Sequence, residues 1–203
     1  MDEVICLTED LLIDKGAHKK VYADPLNAHR CIKILYAVPD TDMERELTYR
    51  NIRKKRNLVS SLLPVYYGTV RTNLGMGYVF ERIADFDGKT SKTLRQFFED
   101  AKQDEKISPF LEEVLLKFKA HLFQELLVTS DVAPENFMVQ RISVTEYKIR
   151  VVDNIGSPVF LPLVYYVDVI AKKRVKKYWR RFLNEMQICY PKLITEEVKL
   201  RLW

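Results

Sequence analysis

The sequence predicts an α+β fold in which a small β-rich half precedes a mainly helical one. Three observations predict it. Short apolar runs separated by Asp, Asn, Gly and Pro turns fill much of the first third of the chain. Apolar residues at helical spacing dominate further on. Glycine is absent from Ser157 to Trp203. At 203 residues and 47% apolar, the chain buries a real core and is neither disordered nor a low-complexity fibre.

In order, Leu11–Ile13 reads as a strand turned by Asp14-Lys15-Gly16, and Lys20–Ala23 as its return. Asp24–Asn27 is a second turn and Arg30–Tyr36 a third strand. Pro39-Asp40-Thr41-Asp42 punctuates, with Thr41 or Asp42 placed to cap a helix over Met43–Leu58. Val65–Arg71 and Tyr78–Ile83 form a hairpin turned at residues 73–77. A loop at Asp85–Lys89 follows, then a short helix over Ser91–Asp100. Ser108-Pro109 opens a longer helix, with Pro109 in the first turn where its missing N–H is harmless. Phe110, Leu111, Val114, Leu115, Phe118 and Leu122 mark its buried face. Phe137–Val139 and Lys148–Val152 read as a second hairpin, and the C-terminal end as basic helix. This places residues 1–84 in a small β-rich lobe with one helix and residues 85–203 in a mainly helical lobe.

Thirty-three Lys and Arg against 28 Asp and Glu give a net charge of +5, which suits an acidic ligand without demanding nucleic acid. With 6 glycines, a glycine-dense phosphate loop cannot be built. Met1-Asp2-Glu3 is acidic where a secretory leader is positive, and the apolar run Val159–Val167 is interrupted by Pro162 and far short of a membrane span. Cys6, Cys31 and Cys189 have neither disulfide-framework nor zinc-site spacing. His18, His29 and His121 form no metal-binding pair. The expectation is a cytoplasmic protein with reduced thiols.

Four features carry chemistry when taken together. Asp131 and Asn136 stand five apart in Asp131-Val132-Ala133-Pro134-Glu135-Asn136, after a long helix and before a strand. That is the spacing of a protein-kinase catalytic loop, in which the Asp accepts the hydroxyl proton and the Asn oxygen holds magnesium. Asp153, in Asp153-Asn154-Ile155-Gly156, ends the hairpin where a kinase has Asp-Phe-Gly, and with Asn136 offers a magnesium ion two hard oxygen donors. Lys33, in Cys31-Ile32-Lys33-Ile34, matches the strand lysine that contacts nucleotide phosphates. Glu44 or Glu46 on the following helix could pair with it, Glu46 being preferred. Gly16-Ala17-His18-Lys19-Lys20-Val21 keeps one glycine of a kinase glycine-rich loop, with Lys19 or Lys20 offering side-chain charge in place of backbone N–H groups. Each feature alone also reads as an ordinary turn, cap or edge-strand lysine. Their order along the chain, on matching elements, is what gives them weight.

On these residues the sequence resembles the YrbL family, proteins of the PhoP regulatory network in bacteria. The likeness reaches to about Arg180. It is carried by residues 16–22 and 30–34, Arg45-Glu46-Leu47, Tyr67-Gly68-Thr69-Val70, residues 83–89 with Ala84-Asp85-Phe86-Asp87-Gly88-Lys89, Asp153-Asn154-Ile155-Gly156 and Leu161-Pro162-Leu163. The resemblance implies a protein-kinase-like fold and a link to envelope-stress or low-magnesium responses, with no established substrate. Against kinases at large there are departures. Thr129-Ser130 stands for His-Arg, and Ala133 for the lysine that touches the γ-phosphate. A missing charge at such a site typically removes about 2.7–4 kcal/mol of transition-state stabilisation. After Gly156 there is no Ala-Pro-Glu element and too little chain for large peptide-docking helices.

The expected architecture is therefore a minimal two-lobed, protein-kinase-like α+β domain with a truncated helical C-lobe. The expected function is ATP- and Mg2+-dependent phosphotransfer to an unknown protein or small-molecule acceptor. Asp131 is the base, Asn136 and Asp153 hold the metal, and Lys33 with Glu46 positions phosphates. Gly16, Lys19, Val21, Cys31, Glu81 and Ile83 complete the nucleotide site, residues 81–83 meeting adenine as a hinge. The alternatives are a nucleotide-binding pseudokinase adaptor or a non-catalytic protein that binds nucleic acid or an anionic surface. The last draws on Lys172, Lys173, Arg174, Lys176, Lys177, Arg180 and Arg181, arrayed around an apolar stripe of Val175, Trp179, Phe182, Leu183 and Met186, and on the run Arg53-Lys54-Lys55-Arg56.

Overall fold

The computed structural model describes residues 4–36, 41–103, 108–158 and 162–203. Pro39-Asp40 and Leu161 therefore lie outside the described residues. The fold is α+β, with two antiparallel sheets and, among the described residues, five α-helices. Contacts group Met1–Thr41 with Pro64–Thr90 as one unit, and Asp42–Leu63 with Ser91–Trp203 as a second.

The first unit is a five-stranded sheet of β1 (Leu12–Lys15), β2 (Lys19–Ala23), β3 (Arg30–Leu35), β4 (Tyr66–Thr72) and β5 (Gly75–Glu81), in the order β1-β2-β3-β5-β4. Its register decides which residues share a face. Tyr22 opposes Ile32, and Ile32 opposes Val79. With Ile34 these side chains pack against Ile5 and Leu7 as the unit's core. On the other face Val21 opposes Lys33, Lys33 opposes Tyr78, and Cys31 lies between Ala23 and Phe80. Val21, Cys31 and Lys33 are thus brought to one face by register alone.

Two turns are tighter than the sequence predicts. β1 runs through Asp14 and Lys15, which pair with Val21 and Lys20, so its loop is residues 16–18. The β4–β5 loop is Asn73-Leu74, not residues 73–77. Thr72 closes it, its hydroxyl accepting from Leu74 N at 3.1 Å and donating to Gly75 O at 2.7 Å. Gly77 is then a strand residue, and it is glycine because a Cβ there would stand 2.5 Å from Ile32 Cγ2.

The second unit holds α1 (Thr41–Lys55), which begins at the boundary, then β6 (Lys92–Thr93), α2 (Leu94–Gln103), α3 (Ser108–Gln124), β7 (Phe137–Arg141), β8 (Tyr147–Val151), α4 (Asp168–Cys189) and α5 (Glu196–Leu202). The sequence reading put α1 with the first lobe. Its contacts group it with the second, because Tyr49 belongs to the helical core and Arg53 bonds Glu125 O at 3.0 Å. The helix stops at Lys55, short of the predicted Leu58. Asn57 takes a left-handed φ of 55°, and Leu58 N returns to Arg53 O at 2.9 Å while Asn57 N meets Lys54 O at 3.1 Å, which is a Schellman ending. Thr41 is already helical, so neither it nor Asp42 is the cap.

The short β6 was not expected from sequence. After it, Thr93 and Gln96 cap α2 reciprocally, Gln96 N bonding Thr93 Oγ1 at 3.2 Å and Thr93 N bonding Gln96 Oε1 at 2.8 Å. α3 buries Leu111, Val114, Leu115, Phe118 and Leu122 as predicted, but Phe110 is exposed and only edges Tyr147 at 6.0 Å. α4 buries Val175, Trp179, Phe182, Leu183 and Met186. The end of the chain is not one helix: α5 is separate, with Thr195 as its N-cap. No described helix is long and apolar enough to cross a membrane.

Gly77→Ala is expected to lower stability by roughly 1–3 kcal/mol through overpacking against Ile32, read as a lower denaturant midpoint at unchanged m-value. An unchanged midpoint would mean that Ile32 moves aside freely.

Candidate functional site

In the second unit, α3 delivers the chain to a loop that cannot continue as helix. Leu126 takes a left-handed φ of 48°, and Leu127 N bonds back to Leu122 O at 3.1 Å. A leucine there is strained, and burial of Leu127 and Val128 in the core offsets it. Tyr49 clamps the turn: its hydroxyl accepts from Val128 N at 3.1 Å and donates to Leu126 O at 3.3 Å.

Thr129 and Val132 are buried, while Ser130 and Asp131 are half-buried. A 3-10 turn at Pro134–Asn136 then leads into β7, with Phe137 buried. This brings Asp131 and Asn136 together, Asn136 Nδ2 donating to Asp131 Oδ2 at 3.0 Å. The other Asp131 oxygen accepts from Val132 N at 2.8 Å. With its nitrogen committed, the Asn136 amide turns Oδ1 toward the end of the hairpin, where Asn154 Nδ2 reaches it at 3.1 Å.

The β7–β8 hairpin returns residues 153–156 to the same place. Val152 N bonds Asn136 O at 2.9 Å, Ser130 N bonds Asn154 O at 2.7 Å, and Gly156 N bonds Val128 O at 2.9 Å. Asn154 is left-handed at φ 54°, and Asp153 Oδ1 accepts from Asn154 N at 2.8 Å. Gly156 has φ 92°, and a Cβ there would lie 3.0 Å from the Tyr165 hydroxyl and 3.1 Å from Arg45 Cγ, so both backbone and space require glycine. The structure thus gathers Asp131, Asn136 and the Asp153-Asn154 turn into one hydrogen-bonded cluster.

Sequence reasoning missed three members of this cluster. Arg45, on α1, donates to Ser130 Oγ at 3.0 Å and to Ile155 O at 3.3 Å, and pairs with Asp42 at 2.7 Å. Ser130 stands at the predicted position of a kinase arginine, and here it ties the loop to Asn154 and Arg45. Tyr165 accepts from Ser157 N at 2.7 Å, and burial holds its phenol above the usual tyrosine range. The only local signal for these partners was the resemblance segment Arg45-Glu46-Leu47.

In the first unit, Lys33 is buried with its ammonium 4.4 Å from the Phe80 ring centroid. Phe80 was not singled out in the sequence, where it reads as one more strand residue. Cys31 Sγ donates to Glu81 O at 3.9 Å, and burial pushes its thiol up to about 11. Ile83 is buried, and Glu81 accepts from Val65 N at 3.0 Å. Gly16 sits at the exposed tip of the β1–β2 loop, its N–H bonding Lys19 O at 2.9 Å and its carbonyl accepting the Tyr36 hydroxyl. Of the two carboxylates considered for Lys33, Glu44 is exposed. Glu46 is buried and bonds Arg50 on its own helix at 2.8 Å.

Among the described residues no group of three or more His, Cys, Asp or Glu side chains could hold a metal unaided. A magnesium ion at Asn136 and Asp153 would be held through two hard oxygens and would need its remaining ligands from water and from a ligand's phosphates. Asn136 Oδ1 and Asp153 Oδ1 each already accept a hydrogen bond from Asn154, so such an ion would have to use their remaining lone pairs and the second Asp153 oxygen.

Fold and cluster together define an α+β protein whose helical unit presents an Asp/Asn loop against the end of a β-hairpin. Residues 5–187 match the family described as PhoP regulatory network protein YrbL, and the chain belongs to that family. Similar proteins carry the description uncharacterized protein YrbL in Escherichia coli (strain K12) and in Shigella flexneri. Each is 38% identical over 185 residues, covering 90% of this chain and 88% of the relative.

The buried Cys31 thiol predicts selective reactivity. At about pH 8 the native protein should react with thiol reagents at the exposed Cys6 and Cys189 only. The folded state keeps a proton that the unfolded chain releases near pH 9. This contribution is therefore intact below about pH 9 and is lost as pH rises toward 11, at up to about 1.4 kcal/mol per pH unit. Cys31→Ala should remove that part of the alkaline slope. Rapid native-state labelling of Cys31 would contradict the assignment.

Proposed function

We propose that the protein is an ATP- and Mg2+-dependent phosphotransferase of protein-kinase-like architecture. The observation that carries this reading is the Asp131–Asn136–Asn154 hydrogen-bonded chain beside Asp153. It places a candidate base, an amide oxygen and a carboxylate on one loop-and-hairpin end. In this reading Asp131 accepts the acceptor hydroxyl's proton, and Asn136 and Asp153 hold the metal that neutralises nucleotide phosphates. The single face of the first sheet that carries Val21, Cys31 and Lys33 supplies adenine contact and phosphate charge, with Gly16 and Lys19 at its loop end. Glu81 and Ile83 take the hinge role. On α1, Glu46 pairs with Arg50 at 2.7 Å.

A pseudokinase is the second reading, and a specific observation favours it. Ala133 leaves the catalytic loop without the cation expected beside a γ-phosphate. Both oxygens of Asp131 are also already engaged, by Val132 N and Asn136 Nδ2. Such a protein would bind nucleotide and signal by conformation.

Three variants separate these readings. ATP should raise the melting temperature only with magnesium present; at about 100 times its dissociation constant it adds about 2.7 kcal/mol. Lys33→Met and Asp153→Asn should weaken that shift. Asp131→Asn should keep it while turnover falls about 10²–10⁴-fold. An equal shift in excess chelator would refute the metal site. Wild-type binding with no turnover above Asp131→Asn, candidate acceptors supplied, would establish the pseudokinase.

A further inference from the structure

The outward face of α4 is chemically one-sided. Residues 169–184 contain seven Lys and Arg and no Asp or Glu. Val175, Trp179, Phe182 and Leu183 turn into the core, so Val169, Ile170, Lys173, Lys177 and Arg180 line the opposite ridge. From Val169 to Arg180 this ridge is roughly 16 Å long at 1.5 Å per residue. Lys172, Lys173, Lys177 and Arg180 are exposed, and none makes an ion pair with a described residue. Arg181 pairs with Glu185, and Lys176 lies over the Trp203 ring at 5.3 Å.

The N-terminal end of the ridge is exposed and, apart from Asp168, whose carboxylate is paired with Arg56 at 3.0 Å, mainly apolar. Val169 is 65% accessible, Tyr166 56% and Leu163 52%, with Val167 and Ile170 beside them. Burying such side chains against water-excluding material is favourable, and a soluble surface has no use for five of them in an eight-residue stretch. A nucleic-acid backbone would satisfy the lysines and leave these residues in water. An anionic bilayer satisfies both ends at once: phosphates at the headgroup level meet the ammonium groups, and the acyl boundary accepts the aliphatic and tyrosyl side chains.

We propose that α4 and the turn before it dock this protein on an anionic lipid surface, with Lys173, Lys177 and Arg180 at the headgroups and Val169, Ile170 and Tyr166 at the acyl boundary. None of these residues is itself a member of the Asp131 cluster, although Tyr166 follows Tyr165 of that cluster, and the proposal does not depend on the phosphotransfer reading.

The test is co-sedimentation of the full chain with vesicles of phosphatidylcholine alone or with about one third phosphatidylserine. Binding should require the anionic lipid and weaken as salt rises. Lys173→Gln, Lys177→Gln and Arg180→Gln together should lower partitioning about 100-fold, near fivefold for each charge. Val169→Ser with Ile170→Ser should lower it at least about tenfold while keeping the salt dependence. All five positions are on the surface, and an unchanged melting temperature would show that the fold has not been disturbed. Equal binding to both vesicle types would overturn the proposal. So would full binding by either variant, or tighter capture of an oligonucleotide or acidic peptide that the Val169/Ile170 variant leaves intact.

Discussion

The aromatic cluster of Phe118, Phe137, Trp179 and Phe182 is the support on which the Asp/Asn loop stands. Phe137 meets Phe118 edge-on at 5.3 Å and Phe182 at 6.1 Å, while Trp179 stacks on Phe182 at 5.2 Å. The four rings come from three parts of the chain: Phe118 from α3, Phe137 from the start of β7, and Trp179 and Phe182 from α4. Phe137 follows Asn136 directly, so fixing the phenylalanine fixes the asparagine. Val132, one residue after Asp131, is buried in the same core. The polar residues of the loop are therefore held between two apolar anchors. A loop without them would have to order its carboxylate and amide at a conformational-entropy cost of about 1–2 kcal/mol per residue.

Polar ties then set direction. Asn136 has four hydrogen-bonding capacities, and its nitrogen is taken by Asp131, which points its oxygen to the hairpin end. Arg45 reaches the same loop from α1 and bonds both Ser130 and Ile155 O. Tyr49, one helical turn on, holds the loop entrance. One helix face therefore braces two segments that are far apart in sequence, and this bracing is why α1 groups with the helical unit. Buried arginine and glutamate on that helix are tolerable because each has bonded partners: Glu46 with Arg50, and Arg53 with Glu125 O and Tyr49.

The first sheet works by a different rule. Strand alternation gives two faces, and the apolar set Tyr22, Ile32, Ile34 and Val79 claims one of them. Lys33, flanked by two of those residues in sequence, is consequently forced to the other face with Cys31 and Val21. Phe80 lies beneath the lysine there and favours its charge through the ring face. α4 shows the same logic in a helix: its core stripe commits one side, and the composition of the remaining side is free to serve a surface.

The sequence by itself determined what is local. Strands β2, β3, β7 and β8, helix α3 and the apolar stripe of α4 follow from period-2 and period-3.6 patterns, because each needs only its own residues to declare a buried face. The pairing of Asp131 with Asn136 was legible too, since five residues and a Pro134 turn leave the two side chains little room to part. Only the tertiary structure decided the rest. The ends of β1 and of α1, and the two-residue turn at Asn73-Leu74, were set by cross-strand pairing and by Asn57 taking a left-handed conformation that Leu58 and Arg53 complete. Beyond the resemblance segment Arg45-Glu46-Leu47, the roles of Arg45, Ser130 and Tyr165 had no local signature, because Arg45 and Ser130 meet backbone groups 110 and 24 residues away and Tyr165 meets Ser157 across a turn of the chain. The allegiance of α1 was decided the same way: its sequence carries charge along its whole length, and only the partners of Tyr49, Arg45 and Arg53 reveal which core it serves.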